Sequence, residues 1–189
     1  MRYIIDYVLY ITFFSLVITL LVVTGVIYSL WRLLFKKNYA PFIPIPQDAI
    51  PALVEHAAIT KGDVVYDLGC GDARILRTLA KKHPDAQFIG IEKALFPYLI
   101  AKISSLKTTN ITIRRKNFFK ISIKDATVII TYLFPSVMDL LLPKFDQELH
   151  NAKLFSFDFS FSKKQYKAMY TIKDREGKLG SKIFIYQFE

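Results

Sequence analysis

The chain has 189 residues, enough for one domain of ordinary size and an appendage. Its 26 Lys and Arg outnumber its 16 Asp and Glu for a formal charge of +10, and because Arg2 and Asp6 cancel, the whole excess lies after residue 31. The single cysteine, Cys70, excludes an intrachain disulfide and suits a reducing compartment, and His56, His83 and His150 are too scattered to give metal-ligand spacing, so no metal is expected.

The first element is "YVLYITFFSLVITLLVVTGVIYSLW", Tyr7 to Trp31, twenty-five residues without a formal charge. As a helix it would reach roughly 37 Å, beyond a hydrocarbon core of about 30 Å. It is about twice as long as a signal-peptide apolar region and lacks a small-x-small cleavage site, so one transmembrane helix is expected. Arg32, Lys36 and Lys37 follow it, and the positive-inside bias places the remaining chain in the cytoplasm beside an anionic leaflet. Residues 1–37 are thus read as an anchor with a basic flank. Residues 38–47, "NYAPFIPIPQ", carry three prolines that impose extended geometry and read as a stiff connector.

From 48 to 189 the pattern is a single α/β domain. Asp48 is a candidate N-cap for a helix bearing Ile50, Leu53, Val54, Ala57 and Ala58. Strands and helices then alternate: "DVVYDL", a helix with Ile75, Leu76, Leu79 and Ala80 on one face, "AQFIGIE", a helix around "LFPYLIAKI", "NITIRR" and "ATVIITYL". This rhythm predicts a Rossmann-like, mostly parallel sheet covered on both faces. "PSVMDLLLPKFDQEL" reads as helix and "AKLFSFDFSF" as strand, while "YKAMYTI" and "KIFIYQF" flank the turn-rich "KDREGKLGS" as a C-terminal antiparallel hairpin. Ligands of such a sheet bind at the carboxyl ends of its parallel strands.

The chemistry concentrates in "VVYDLGCGDARIL", where Gly69, Cys70 and Gly71 join a strand to a helix. Glycines there permit a tight turn and close approach of a ligand to backbone N–H groups. A dinucleotide fingerprint would place a third glycine at position 74, which is Arg74. Asp67, ending the first strand, would repel a pyrophosphate but suits a ligand carrying an ammonium and a sulfonium, as S-adenosylmethionine does. Glu92 ends the second strand, placed to accept hydrogen bonds from both ribose hydroxyls. Read singly, the glycines are a tight connection and Glu92 a solvated strand end; in βαβ order they agree on one nucleoside ligand. Cys70 has no neighbouring base and reads as a small filler in that turn, not a nucleophile.

With these residues the chain resembles class I S-adenosylmethionine-dependent methyltransferases: "DLGCGDA" follows their first motif, with Ala73 where the last glycine usually stands. The resemblance covers about residues 41–189 and implies Asp67, Gly69, Cys70 and Gly71 around the methionine portion, Glu92 at the ribose, and Asn117 and Phe118 of "KNFF" at the adenine. S-adenosylhomocysteine would be the product. More narrowly, the chain is similar to the membrane-anchored lysine methyltransferases of the ATP synthase c subunit and the adenine nucleotide translocase, and to their bacterial relatives. "PFIPIP" after the apolar helix, "DLGCGDAR" and "ITYLFPSVMDLLLPKF" carry that similarity, with Phe42 and Ile45 where those proteins usually have Tyr and a small hydroxyl residue.

That resemblance implies a membrane or membrane-proximal protein as acceptor, entering at the ends of the fourth and fifth strands. Tyr132 and Asp158 are the candidate catalytic residues there: Tyr132 to accept a hydrogen bond from the amine, or else a core aromatic with a satisfied hydroxyl; Asp158 to assist, or else a structural cap. The runs "RRK" at 114–116 and "KK" at 163–164 read as a solvated face beside a membrane before they read as an RNA site. The competing functions are methylation of a lipophilic small molecule, a lipid or RNA, and a non-catalytic module that reports cofactor to a membrane partner. Ser15 and Thr19 have small-x-x-x-small spacing, which leaves the oligomeric state open.

Overall fold

A computed structural model describes residues 2–34, 43–173 and 175–189, in two compact units, Met1–Pro41 and Phe42–Glu189. Lys36, Lys37 and residues 38–42 of the connector lie outside the described residues. The first unit is one helix, α1 (Arg2–Leu34), long and apolar enough to cross a membrane. Its side chains from Tyr3 to Arg32 are exposed. Thr12, Thr19 and Thr24 return their hydroxyls to the carbonyls of Val8, Ser15 and Leu20 at 2.8–3.0 Å, which removes free donors from that surface.

The second unit opens with a 3-10 turn, Gln47–Ala49, leading into α2 (Ile50–Ala57), whose Pro51 occupies the tolerant first turn. Asp48 does not cap this helix; its carboxylate pairs instead with Arg175. Then come β1 (Val64–Leu68), α3 (Arg74–Lys82), β2 (Gln87–Glu92), α4 (Leu95–Ser104), β3 (Ile111–Arg115), β4 (Val128–Thr131), α5 (Pro135–Glu148), β5 (Ala152–Phe157), β6 (Ala168–Thr171) and β7 (Lys182–Phe188). The sheet order is β3-β2-β1-β4-β5-β7-β6; the first five strands are parallel and β7 runs antiparallel between β5 and β6. This is the Rossmann-like sheet with a C-terminal antiparallel pair that the sequence predicts.

One face packs Leu53 of α2, Leu76 and Leu79 of α3 and Ala101 of α4 against Val65, Phe88, Ile130 and Phe155. The other packs Met138, Leu141 and Phe145 of α5 against Tyr66, Ile129, Leu154 and Tyr186. Burial on both faces explains why β1, β4 and β5 are apolar at successive positions instead of alternating. Their register aligns the carboxyl ends: Leu68 lies beside Ile91 and Thr131, and Thr131 beside Ser156.

Two strands end earlier than their apolar runs. Pairing of β4 stops at Thr131, which frees Tyr132 and Leu133. Pairing of β5 stops at Phe157 because Asp158 takes a left-handed φ of +58°. The turn is fixed by Ser156 Oγ donating to the Phe159 carbonyl at 2.6 Å, and Phe161 then re-enters the core against Phe145 and Tyr186.

Candidate active site

Three connections meet at the carboxyl edge of the sheet. The first follows β1, where Gly69 (φ +85°), Gly71 (φ +56°) and Ala73 (φ +61°) all have left-handed backbone. Glycine adopts this freely; at Ala73 it costs on the order of 1 kcal/mol, and the buried methyl offsets part of that. Gly69 and Cys70 both donate their N–H to the Ile91 carbonyl, at 2.8 and 3.1 Å. Gly71 N–H donates to Glu92 Oε2 at 3.1 Å and Ala94 N–H to Oε1 at 2.7 Å. Glu92 therefore ties the β1 turn to the β2 turn, and each of its oxygens keeps a lone pair for a further donor.

Asp67 is only 3% exposed, and no hydrogen bond from a described residue reaches its carboxyl. Burial, then the charges of Glu92 and Asp72, push it up to about 8. A buried carboxyl without a donor, beside a second acidic group, is a place that a cationic ligand would complete. Cys70 points the other way: its sulfur lies where a Cβ on Gly90 would come within 2.7 Å, and burial followed by Asp67 and Glu92 raises its thiol well above the ordinary range. Its side chain packs in the core, and its backbone alone lines the turn.

The sequence reading missed the fork between Asp72 and Arg74. Arg74 donates through Nε and Nη2 to the Asp72 carboxylate at 2.9–3.1 Å and through Nη1 to the Ile45 carbonyl at 3.1 Å. Burial pushes Asp72 up, but Arg74 outweighs it and holds the carboxyl below its usual range. Arg74 thus joins the glycine turn to the end of the proline-rich connector. That connector also touches the β6–β7 loop: a Cβ on Gly180 (φ +75°) would lie 3.0 Å from Pro46 Cδ, and Asp48 pairs with Arg175, which is buried.

The second connection follows β4. A Cβ on Gly69 would meet Leu133 Cδ2 at 3.2 Å, so Leu133 leans on the glycine turn and carries Tyr132 and Phe134 to its side. Tyr132 donates its hydroxyl to Asp158 Oδ2 at 3.3 Å, and its ring stacks on Phe159 with centroids 6.0 Å apart. Phe134 closes on Phe159 at 5.6 Å, and Phe157 meets Tyr132 edge-on. Burial and then Asp158 push the Tyr132 phenol up to about 12, so it stays protonated at neutral pH, with oxygen lone pairs available to a donor.

Asp158 is engaged more fully. Its Oδ1 accepts from Ser181 N–H at 2.9 Å and Lys182 N–H at 3.1 Å, and its Oδ2 accepts from Gly180 N–H in addition to Tyr132. This is the pattern of a clamp that fixes the start of β7 and orients Tyr132. Asn117 and Phe118 lie after β3: Asn117 Oδ1 accepts from Phe119 N–H at 3.1 Å, and Phe118 is half-buried against the α5 face. Of the residues named from sequence, Asp67, Gly69, Gly71 and Glu92 form one connected turn, Tyr132 and Asp158 a second group joined to it through Leu133, and Asn117 and Phe118 stand one strand further out, past β2.

The fold and this edge define the class: the chain is a class I S-adenosylmethionine-dependent methyltransferase, with S-adenosylmethionine as its cofactor. It belongs to the ANTKMT methyltransferase domain family, which matches residues 67–168. It is 30% identical over 152 residues, 78% of this chain and 93% of the other, to a protein-lysine N-methyltransferase of Saccharolobus islandicus (strain REY15A). It is similar in structure to an RNA methyltransferase from Salinibacter ruber in complex with S-adenosyl-L-homocysteine. That likeness has a TM-score of 0.70 and 26% identity, over 77% of this chain and 94% of the other. The fold is also that of the B. subtilis M1A22 tRNA methyltransferase TrmK, at a TM-score of 0.61 and 16% identity over 75% of this chain and 65% of the other.

Proposed function

We propose that this enzyme is a membrane-anchored protein-lysine N-methyltransferase whose acceptor is a membrane or membrane-proximal protein, with its catalytic domain on the cytoplasmic side. The observation that carries the reading is the seat of Tyr132: beside the glycine turn, walled by Phe134, Phe157 and Phe159, its hydroxyl aimed by Asp158. The 30% identical relative named for lysine methylation supports it, as does α1 for the anchor.

When bound, the cofactor supplies an electrophilic methyl group on a sulfonium. Asp67 would hold its cationic methionine portion, Glu92 would accept from its ribose hydroxyls, and Asn117 and Phe118 would border its adenine. Transfer of that methyl group to a neutral amine nitrogen would break its bond to sulfur, give S-adenosylhomocysteine and a methylated ammonium, and release the ammonium's proton to solvent. The acceptor must arrive neutral, yet about one lysine in 2,500 is neutral at pH 7. The aromatic wall works toward that end by disfavouring the ammonium, and the Tyr132 oxygen accepts one N–H so that the nitrogen lone pair points at the methyl group. Asp158 is a positioning residue acting through Tyr132.

RNA is the second reading, favoured by the Salinibacter ruber neighbour and the charge of +10. Mass spectrometry of membrane proteins from cells with and without the enzyme separates the two. Nε-methyl-lysine that vanishes from a membrane protein without the enzyme supports the proposal. An unchanged protein methylome with methylated nucleosides lost from RNA overturns it.

A further inference from the structure

In a sheet covered by helices, each helix buries one face and offers water a polar one. α3 does so: it buries Ile75, Leu76, Leu79 and Ala80 and leaves Arg74, Arg77, Thr78, Lys81 and Lys82 outward. α4 does the opposite. It buries only Ala101, and its outer face carries Leu95, Phe96, Leu99, Ile100 and Ile103, continued by Leu106. At 100° per residue the five on α4 fall in one arc of about 140° opposite Ala101, and Leu106 follows in the turn after it. Phe96, Ile103 and Leu106 are 65%, 68% and 72% exposed, so the stripe is uncovered by the rest of the fold.

The surrounding charge is one-sided. Residues 93–124, from the start of the α4 segment through β3 and beyond, include eight Lys or Arg and no Asp or Glu. Lys102 and Lys107 border the stripe, and Arg115, which shares a face of the edge strand β3 with buried Ile113, and Lys116 just after it are exposed beside α4, which contacts β3. An apolar helical face flanked by basic side chains is the chemistry of a helix lying in a lipid interface, its apolar side among the acyl chains and its cations at anionic headgroups. A second copy docking through the same face would bring two all-basic segments together, which opposes it.

We propose that the outer face of α4 rests on an anionic lipid bilayer, an inference that depends on the reading of α1 as a membrane span. The Glu92–Ala94 turn leads directly into α4, so this docking holds the rim of the glycine turn at headgroup level, where a lysine at a membrane surface reaches the methyl donor.

Site-directed spin labelling of the full-length protein tests this, one copy per lipid nanodisc of phosphatidylcholine with phosphatidylglycerol. Nitroxides are placed by Ile100→Cys, Ile103→Cys, Leu16→Cys within α1, and Gln147→Cys on the exposed side of α5; buried Cys70 is controlled by the unaltered chain. Collision rates with oxygen and with a water-soluble nickel chelate are compared. At 100 and 103 oxygen should exceed nickel about threefold or more, as at 16, with the reverse at 147. Loss of this pattern at 100 and 103 in pure phosphatidylcholine supports the anionic requirement, and its persistence there overturns that requirement. Positions 100 and 103 matching 147 while 16 stays lipid-like overturns the α4 surface and leaves the anchor standing. A water-like signal at 16 overturns the anchor reading itself. Protection from both reagents at 100 and 103 signifies a protein partner or second copy and overturns the lipid assignment.

Discussion

Asp67 lies one residue before the end of β1 with its carboxyl raised to about 8 by burial, Glu92 and Asp72, so the ligand-free protein holds a proton there at neutral pH. Unfolded, the same group titrates near 4. Between the two values the folded state binds one more proton than the unfolded state, so this residue makes stability fall as pH rises from about 4 to about 8. Denaturant titrations from pH 5 to 8 are expected to show that decline, and Asp67→Asn to flatten it. A cationic ligand favours the ionised form, so affinity for S-adenosylmethionine should rise from pH 6 to 7.5, with proton uptake by buffer visible in calorimetry. Asp67→Asn should remove the slope and weaken binding about tenfold or more. Gly90 is a second residue with a sharp constraint, because a Cβ there meets Cys70 Sγ, Ile113 Cδ1 and Leu76 Cδ1 at 2.7–2.9 Å. Gly90→Ala should destabilise by about 1–3 kcal/mol in denaturant titration. Adding Cys70→Ala should recover only part of that loss, since Ile113 and Leu76 still crowd the site.

At the scale of elements, the clamp of Asp158 on the start of β7 separates two roles that the sequence left joined. Asp158→Ala strips the acceptor from the N–H groups of Gly180, Ser181 and Lys182 and should destabilise by about 3 kcal/mol or more. Tyr132→Phe keeps the ring contacts, so stability should change by about 1 kcal/mol or less while kcat falls about tenfold or more at unchanged cofactor affinity. Equilibrium unfolding and steady-state kinetics on the two variants check this; equal stability losses would contradict the separation. The parallel strands β1, β2, β4 and β5 were legible because most of their residues are buried on both faces, which leaves largely apolar runs bounded by Gly, Asn and Asp, while β3 at the edge was legible from its alternation. "DLGCG" and Glu92 were legible for a related reason: the parallel register sets their chemistry at adjacent strand ends. The stop at Phe157 was not, because it goes with a left-handed Asp158 whose carboxylate reaches Gly180–Lys182, more than twenty residues away in sequence. The Asp72–Arg74 fork was equally hidden, since its purpose depends on the Ile45 carbonyl. Asp48 looked like a cap because local sequence cannot reveal that Arg175 stands opposite it.

For the whole molecule, the net positive charge lies after residue 31 while Tyr7 to Trp31 carry no formal charge, a division that supports the proposal of a catalytic domain held near an anionic surface. The proposed tether would raise the effective concentration of acceptors in the same membrane. The central claim, methyl transfer to lysine in protein, is tested most directly with full-length enzyme in membranes, methyl-tritiated S-adenosylmethionine, and protein, lipid and RNA fractions from cells that lack the enzyme. The expected result is label in protein that survives mild base and disappears with the Asp67→Ala, Glu92→Ala double variant. Label confined to lipid or RNA, or none in any fraction despite measured cofactor binding, would contradict the claim.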